Sequence, residues 1–452
     1  MRASQQAPAQ TTAFPPTFNP NAAGLDIGSE EIWACVPEDR DPQPVRRLGT
    51  FTPDLYALAA WLAACHIETV AMESTGVYWI PIYEILEARG FRAYLVNAHH
   101  LKHVPGRKSD VKDCQWIQHV HSCGLLSGSF RPEAELCTLR ALLRHRAMLL
   151  EYRAAHILHM QKALQQMNVQ LTQVLSDITG VTGLAIIRAI VAGERDPVQL
   201  ARWRDRRCQS STEEIAKALT GHYQAEHVFA LKQALALYDL YTAQVYECDV
   251  EIERQFVAIK PPRPEELPPL DPTDKRDSHS KNAPSYEARD LLYQLPGVDL
   301  VAIPGIHAST AQTIIAEIGT DMGQWPSAKA FCSWLGLAPH EDISGGKVLR
   351  RYTLKNRNRA GQAFRLAAQS VSRSHSSLGV FYRRMRTRLG PKSAIVATAH
   401  KLARIVYHML THRTPFRDLS PEEYAQRTRE RDIANLRKRA TKLGLTLVES
   451  PA

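Results

Sequence analysis

Strand and helix patterns follow one another in a defined order through the first quarter of the chain. Apolar residues alternate with polar ones over three short runs. After these runs, segments with the apolar spacing of a helix alternate with segments typical of a buried strand. The predicted elements cover 23–28, 31–37, 46–51, Pro53–Cys65, Ile67–Met72, Val77–Arg89, Phe91–Val96 and Ser109–Cys123. Three antiparallel strands followed by alternating helices and strands is the order of a ribonuclease-H-like fold. We therefore expect an α/β domain of this type near the N-terminus.

Four acidic residues lie at the ends of these elements. Asp26 lies in the first strand, and Glu73 directly follows a buried strand. Asp110 and Asp113 come after the N-cap candidate Ser109, three residues apart, so they share one face of a helix. Carboxylates gathered at one sheet edge repel each other unless a cation lies between them, and oxygen-only ligation suits Mg²⁺ or Mn²⁺. The pattern predicts a site with two metal ions about 4 Å apart that supports attack on a phosphodiester.

Each acid taken alone has a structural alternative. An Asp at a strand end is usually a solvated cap, and an acidic pair three residues apart is usually an exposed helix face. The combination of two strands and a helix favours the metal site. A zinc site formed by Cys114, His119, His121 and Cys123 is disfavoured, because their spacing spreads them around a helix.

Composition narrows the class of protein. The 452-residue chain is long enough for two or three domains. Its eight cysteines occur singly, without a C-x-x-C pair, which is typical of reduced thiols in a cytoplasm. Apolar runs of membrane-spanning length and an N-terminal secretion signal are both absent from the sequence. We expect a soluble cytoplasmic protein without a membrane partner.

Basic residues are concentrated in one long stretch without acids. Residues 345–417 contain no Asp or Glu and seventeen Lys or Arg, within a chain of net charge +10. Such a stretch repels itself unless a polyanion neutralises it, so a phosphate backbone is the expected partner. The alternative is a basic face that serves only solubility. The predicted nucleic-acid contacts are Lys347, Arg350, Arg351, Lys355, Arg357, Arg359, Arg365, Arg383, Arg384 and Arg386.

Heptad repeats predict long helices in the middle of the chain. Leucine or isoleucine recurs every seven residues from Leu136 to Leu171, and a second heptad run extends from Leu231 to Ile259. These runs predict a coiled coil over 131–259, within the chain or between chains, with an insertion near 177–225. Arg146 and Arg153 interrupt the companion positions of the first run. We interpret these arginines as a limit on self-association or as contacts to nucleic acid.

A linker separates the helices from the basic C-terminal region. Residues 260–287 contain seven prolines among charged residues, which indicates a linker. The turn Ile303-Pro304-Gly305-Ile306 and the helical pattern over 311–319 are similar to a helix-hairpin-helix element, which presents backbone N–H groups to a phosphate. An ordinary packing corner between two helices is the alternative.

Six motifs in two blocks, about 24–126 and about 290–416, carry a family resemblance. They are Gly24-Leu25-Asp26, Met72-Glu73-Ser74-Thr75-Gly76-Val77-Tyr78-Trp79, Lys108-Ser109-Asp110-Val111-Lys112-Asp113, Ile303-Pro304-Gly305-Ile306, Phe331-Cys332-Ser333-Trp334-Leu335-Gly336-Leu337-Ala338-Pro339 and Ser344-Gly345. With these motifs the chain resembles the DEDD transposases of insertion-sequence family one hundred and ten, relatives of the Piv-type DNA invertases. Members of that family are understood as recombinases guided by a structured bridge RNA.

The resemblance implies a domain organisation and a mechanism. It implies a RuvC-like domain at 21–130 whose Asp26, Glu73, Asp110 and Asp113 bind magnesium or manganese, a coiled coil for assembly, and a C-terminal transposase domain at 288–416. Matched residue by residue, the family's nucleophilic serine is Ser344, which would form a transient phosphoserine bond to DNA without ATP. The expected partners are donor and target DNA, a guide RNA and further copies of the chain, in a homodimer or homotetramer with the site between subunits.

The chain departs from the family pattern in two places. The run from Thr353 to Arg359 differs from the family's usual motif, and residues 177–225 and 417–443 are extra. We expect a disordered tail at 1–20 and a basic tail at 417–452.

Two other functions remain open from the residues. One is a metal-dependent RuvC-like nuclease or resolvase that uses the acids alone and water as the nucleophile. The other is a non-catalytic nucleic-acid-binding protein with vestigial acids.

Overall fold

The computed structural model describes residues 18–73, 76–96, 110–126, 128–259, 267–270, 281–353 and 358–446, apart from the side chains of 110–112, 351, 421, 425 and 428. The chain divides into two compact units between Arg131 and Pro132. The first is a mixed α/β unit, and the second is mostly helical. The predicted class, an α/β domain followed by helices, is confirmed at this level. Most of the tail predicted at 1–20 lies outside the described residues.

The described part of the first unit contains one five-stranded sheet. The strand order is β3-β2-β1-β4-β5, in which β1, β2 and β3 are antiparallel and β4 and β5 run parallel to β1. The elements are β1 (Ala22–Ile27), β2 (Glu31–Cys35), β3 (Val45–Gly49), α1 (Thr52–Ala64), β4 (Thr69–Glu73), α2 (Trp79–Ala88), β5 (Arg92–Val96) and α3 (Asp110–Ser122). The predicted order of elements is confirmed, and each end lies within two residues of its predicted place.

Strand β1 is the centre of this sheet and is buried on both faces. Ala23, Leu25 and Ile27 belong to a core that also contains Leu58 of α1 and Leu86 of α2. Because successive side chains of a strand point to opposite faces, Gly24 and Asp26 face the other way. Helix α3 covers that second face, where Ala71, Val96 and Ile117 form a smaller core.

Two long helices form the axis of the second unit. They are α4 (Ala134–Gln166) and α9 (Ala225–Ile259). They are antiparallel, since Leu142 contacts Cys248 while His156 stacks on Tyr241. The predicted long helices are thus present. Between them lie four short helices: α5 (Leu171–Val174), α6 (Val181–Val191), α7 (Pro197–Ala201) and α8 (Thr212–Ala218).

The two arginines that interrupt the heptads have partners within the unit. Arg146 donates to both carboxylate oxygens of Asp249 at 2.5 and 3.1 Å, and both residues are buried. Arg146 also donates to the carbonyls of Asn282 and Ala283, and Arg153 donates to the Asn282 side chain. These bonds join the end of the proline-rich segment to the helix pair. Because both arginines are buried and bonded within the unit, the interpretation of them as nucleic-acid contacts was wrong.

The C-terminal part of the second unit is a helical bundle with one β-hairpin. Its elements are α10 (Ala288–Gln294), a 3₁₀ turn (Leu300–Ala302), α11 (Ala308–Ile318), a 3₁₀ turn (Met322–Gln324), α12 (Ala328–Trp334), β6 (Pro339–Ser344), β7 (Lys347–Thr353), α13 (Arg359–Val371), α14 (Ser377–Leu389), α15 (Pro391–His412) and α16 (Pro421–Lys442). Its aromatic core includes Trp325, Phe331, Phe364 and Tyr407.

The basic tail predicted after residue 416 is a helix over most of its length. Ser420 and Glu423 form a capping box at the start of α16, and Pro421 occupies its first turn. Asp432 of α16 accepts hydrogen bonds from Arg384 of α14, and Ser377 donates to Asp418. For the extra length at 417–443, RNA binding and a plain helical insertion were both open, and a helix covers 421–442. In the part of the chain that the structure describes, no helix is long and apolar enough to cross a membrane.

Candidate active site

Asp26 and Glu73 lie on the same face and at the same edge of the N-terminal sheet. Strands β1 and β4 are parallel, with Gly24 opposite Ala71 and Leu25 opposite Met72. The next residues in this register are Asp26 and Glu73. Leu25 and Met72 belong to the core against α1 and α2, so both acids point to the face covered by α3. Both are half-buried. This register places the two carboxylates side by side at the ends of adjacent strands.

Helix α3 lies directly on β1 because residue 24 has no side chain. A Cβ at Gly24 would come about 1 Å too close to the backbone N of Gln118 and the backbone O of Cys114 for ordinary contact. Gln118 also donates to the carbonyl of Ala22 at 3.3 Å. The helix therefore runs antiparallel to β1, with its first turn at the end of the strand that carries Asp26.

The first turn of α3 contains the other two predicted acids. Along its axis, a helix advances over four residues about as far as a strand advances over two. Because Gln118 lies at Ala22, the path along β1 from Ala22 to Asp26 matches the path back along α3 from Gln118 to about residue 110. Asp110 begins α3, and its side chain is outside the described residues. Asp113 is half-buried, and its Oδ1 atom is shielded from solvent. The backbone thus brings all four predicted positions to one edge of the sheet.

The donor chemistry of this edge fits a hard divalent cation. Carboxylate oxygens are the ligands that Mg²⁺ and Mn²⁺ prefer. Among the described side chains, which exclude that of Asp110, no group of three or more His, Cys, Asp or Glu is close enough to hold an ion. Asp26, Glu73 and Asp113 therefore share the edge without forming a closed cage by themselves.

A pair of buried thiols lies beneath this edge. Cys35 is the strand partner of Gly24 in β2, and Cys114 lies over Gly24 from α3. The hydrogen bond between the two thiols, together with burial, raises the pKa of Cys114, and the negative charge of Asp26 adds to the effect. Sequence reasoning missed this pair, because only the β1–β2 register and the contact at Gly24 bring the two residues together.

His121, one of the four residues that could suggest a zinc site, has other partners in the first unit. His121 is buried and shares a hydrogen bond with Thr69 Oγ1 at 2.9 Å, while its ring packs on Tyr94. Burial, reinforced by the charge of Arg92, lowers the pKa of His121 to about 4. His121 is therefore a neutral imidazole in the core of the unit.

Ser344 ends strand β6, directly before a two-residue turn. Gly345 and Gly346 both have positive φ, +55° and +78°, a combination that glycine adopts without steric cost. Ser344 pairs with Lys347 across this turn, and residues 341–350 are all exposed. The serine hydroxyl is thus at the tip of a solvated hairpin in the second unit.

The predicted nucleic-acid contacts divide into exposed and internally bonded residues. Lys347 and Arg350 are exposed on the hairpin, and Arg383 and Arg386 are exposed on α14. Arg365 donates to the carbonyl of Gly336 at 2.8 Å, and burial lowers its pKa. Arg384 is bonded to Asp432, whereas Arg359 is exposed at the start of α13. The side chains of Arg351, Lys355 and Arg357 lie outside the described residues.

The turn at 303–306 packs against a helix of its own unit. Gly305 has φ of +89°, and a Cβ there would overlap Val371 and the carbonyl of Ala367 in α13. Ile303 and Ile306 are buried. This close contact between the turn and α13 supports the packing-corner alternative, while the start of α11 remains exposed at His307.

Comparison with protein families agrees with both blocks of motifs. Residues 23–169 match the transposase model of the IS110 DEDD type, and residues 299–383 match the Transposase IS116/IS110/IS902 family. The two matches cover just over half of the chain. The chain belongs to the IS110 family of transposases.

This membership makes the chain a DNA-processing enzyme. Asp26, Glu73, Asp110 and Asp113 all lie within the first match, and Ser344 lies within the second. Helices α15 and α16 lie beyond both matches. No curated protein matched the chain.

Proposed function

We propose that this transposase is a site-specific recombinase of a mobile insertion sequence. It would cut and rejoin DNA through a transient bond between Ser344 and a phosphate, with metal assistance from Asp26, Glu73, Asp110 and Asp113. The observation that carries the proposal is the convergence of the four acidic positions at one sheet edge, inside the family match. Bound Mg²⁺ or Mn²⁺ would supply charge neutralisation at the phosphate and activation of the attacking hydroxyl.

The residues of the sheet edge determine where such a cation would be held. Asp26 and Glu73 come from adjacent parallel strands, so their spacing is set by the sheet. Asp110 and Asp113 come from the turn of α3 that packs on the same face. The buried side chains of Cys35 and Cys114 exclude water from the base of the edge, which strengthens the field of the carboxylates above them.

The serine would exchange one phosphodiester for another. Its Oγ forms a bond to phosphorus while the bond from phosphorus to a DNA oxygen breaks, and the proton of the serine ends on that leaving oxygen. The bond energy is kept in the phosphoserine, so rejoining to a new hydroxyl needs no ATP. The family resemblance implies that Ser344 and the acids act together in a composite site formed between subunits.

A second copy of the chain is the proposed partner of the long helices. Helix α4 carries an exposed stripe that consists of Ala141, His145, Met148, Tyr152 and His159, and the ring of Tyr152 also lies against Tyr241 of α9. No Asp, Glu, Lys or Arg interrupts this stripe, which is typical of a helix–helix seam. We expect a dimer or tetramer, and expect Met148→Glu to shift the mass measured by light scattering toward the monomer.

The exposed basic surface supports DNA contact, and a guide RNA is the further partner that we propose. Arg383, Arg386 and Arg388 are exposed on α14, and residues 433–446, in and after α16, contain four basic residues and no acid. Phosphate contacts of this kind make affinity fall with salt concentration. Sequencing of RNA that copurifies with the protein tests the guide.

The proposal is tested by searching for a denaturation-resistant adduct between protein and DNA. Purified protein is incubated with element DNA, any copurifying RNA and Mg²⁺, beside Ser344→Ala and Asp110→Ala variants. An adduct in the wild type that is lost in both variants supports the recombinase. Cleavage without an adduct, undiminished by Ser344→Ala, would instead identify a metal-dependent nuclease that uses water.

A further inference from the structure

The two strands of the β6–β7 hairpin create two chemically different faces. Paired residues of antiparallel strands point to the same side, and alternate residues of one strand share a side. The register pairs His340 with Tyr352, Asp342 with Arg350, and Ser344 with Lys347. These six residues form one face, which we name the Ser344 face. Ile343 and Val348 pair with each other on the opposite face, together with Glu341.

A β-bulge brings a second cation onto the Ser344 face. The register shifts between Asp342 and Ile343, so Leu349 is the extra residue of β7. Without this residue, positions three apart on a strand would point to opposite sides. With it, Lys347 and Arg350 both lie on the side of Ser344.

Two contacts within the hairpin agree with this assignment. The rings of His340 and Tyr352 stack with centroids 6.0 Å apart, and the Arg350 guanidinium lies 5.0 Å above the Tyr352 ring. Arg350 is therefore ordered on the Ser344 face by an aromatic neighbour. Asp342 opposes Arg350 across the strands, whereas no residue with a carboxylate pairs with Lys347.

We propose that Lys347 is a catalytic residue that binds a non-bridging oxygen of the phosphate attacked by Ser344, with Arg350 as the next phosphate contact along the same face. The proposal rests on the proposed function. Directly opposite residues have Cβ atoms about 5 Å apart, so a phosphate bonded to Ser344 Oγ is within reach of the Lys347 ammonium. Negative charge on the phosphate oxygens is largest during transfer, when a fixed cation stabilises it most.

The chemical step balances without a further reactant. The Ser344 Oγ–P bond forms as the bond from phosphorus to the departing DNA oxygen breaks, and the serine proton ends on that oxygen. Lys347 keeps its three protons throughout and contributes charge alone. Arginine at position 347 therefore retains part of the effect, and an uncharged side chain of similar length does not.

The test compares the rate of adduct formation with DNA affinity in the full-length protein. Single-turnover adduct formation is measured at saturating element DNA with Mg²⁺ and copurifying RNA, and the dissociation constant for the same DNA is measured separately. The variants are Lys347→Met, Lys347→Arg and Ser344→Ala. The control is Lys329→Met, an identical change at an exposed lysine of α12 outside the acid-free stretch.

Lys347→Met should slow adduct formation about 10²-fold at saturating DNA, as expected for loss of one transition-state contact. Its dissociation constant should change by no more than about threefold, since the other basic residues remain. Lys347→Arg should recover at least about tenfold of the lost rate, and Lys329→Met should match the wild type.

A Lys347→Met rate within about threefold of wild type would overturn the inference and leave the phosphoserine mechanism standing, as would a defect that saturating DNA abolishes. A wild type without any adduct, or cleavage unaffected by Ser344→Ala, would remove the proposed function and this inference together.

Discussion

Replacement of Gly24 by alanine should separate α3 from the sheet that carries two of the acids. A Cβ at this position would lie about 1 Å closer than ordinary contact distance to two backbone atoms, Gln118 N and Cys114 O. Neither atom can rotate away, because both belong to the backbone of α3. The helix must therefore move by about 1 Å, and overpacking of this kind costs about 1–3 kcal/mol of stability.

The same displacement of α3 should lower the activity more than it lowers the stability. Asp110 and Asp113 move with α3, while Asp26 and Glu73 remain with their strands. A displacement of about 1 Å between groups that act together lowers a rate by roughly 10²-fold. We therefore expect Gly24→Ala to reduce adduct formation or cleavage about 10²-fold while the protein remains folded.

The assay combines urea denaturation followed by circular dichroism with the adduct assay at saturating Mg²⁺. Gly28→Ala is the matched control, because its Cβ would lie 3.1 Å from the carbonyl of Glu31, a shortfall of only a few tenths of an ångström. Wild-type stability and wild-type rate in Gly24→Ala would refute the reasoning, since they would mean that α3 does not pack on β1 at this residue.

Three further predictions concern buried charges and the metal. Arg146→Met should cost about 3–5 kcal/mol in urea melts by leaving Asp249 buried without its ion pair, and Arg146→Met with Asp249→Leu should recover most of that loss; equal stability of both variants would contradict this. Because the folded state keeps His121 neutral down to a pKa of about 4, its contribution to stability is present above about pH 6.5 and falls by at most about 1.4 kcal/mol per pH unit toward pH 4. His121→Gln should flatten that part of the pH profile, and an unchanged slope would contradict the cause. Chelation with EDTA should abolish cleavage and Mn²⁺ should restore it, whereas activity that persists in EDTA would exclude a role for the four acids as metal ligands.

The sheet was predictable from the sequence because each strand is recognised from residues that are close together along the chain. The alternation of apolar residues determines which side chains are buried, so Leu25 and Met72 can be assigned to the core from the pattern alone. The edge position of Asp26 and Glu73 follows from the same alternation. The contact between α3 and β1 does not, since it depends on a glycine whose neighbours lie about ninety residues away.

The partners of Arg146 and Arg153 were not predictable from their own surroundings. In the heptad pattern each is an isolated charge in an apolar seam, and such a charge has several interpretations. Asp249 and Asn282 lie more than a hundred residues further along the chain. Only the antiparallel pairing of α4 and α9 brings Asp249 opposite Arg146, and the fold of the proline-rich segment then adds Asn282.

The hairpin shows why a serine can be named from the sequence while its chemical environment cannot. Gly345-Gly346 predicts a turn, and the family motif indicates Ser344. The residues that share its face depend on the strand register and on a bulge at Leu349, which the sequence does not mark.

Exposure of the hairpin has a consequence for how such a serine is controlled. An isolated two-stranded hairpin is marginally stable in water, and Ile343 and Leu349 expose 61% and 71% of their surface. A hydroxyl at its tip is surrounded by solvent, so it lacks the fixed geometry that fast attack on a phosphate requires. Binding of the hairpin to DNA or to another protein surface would cover these apolar side chains and order Ser344 in the same event.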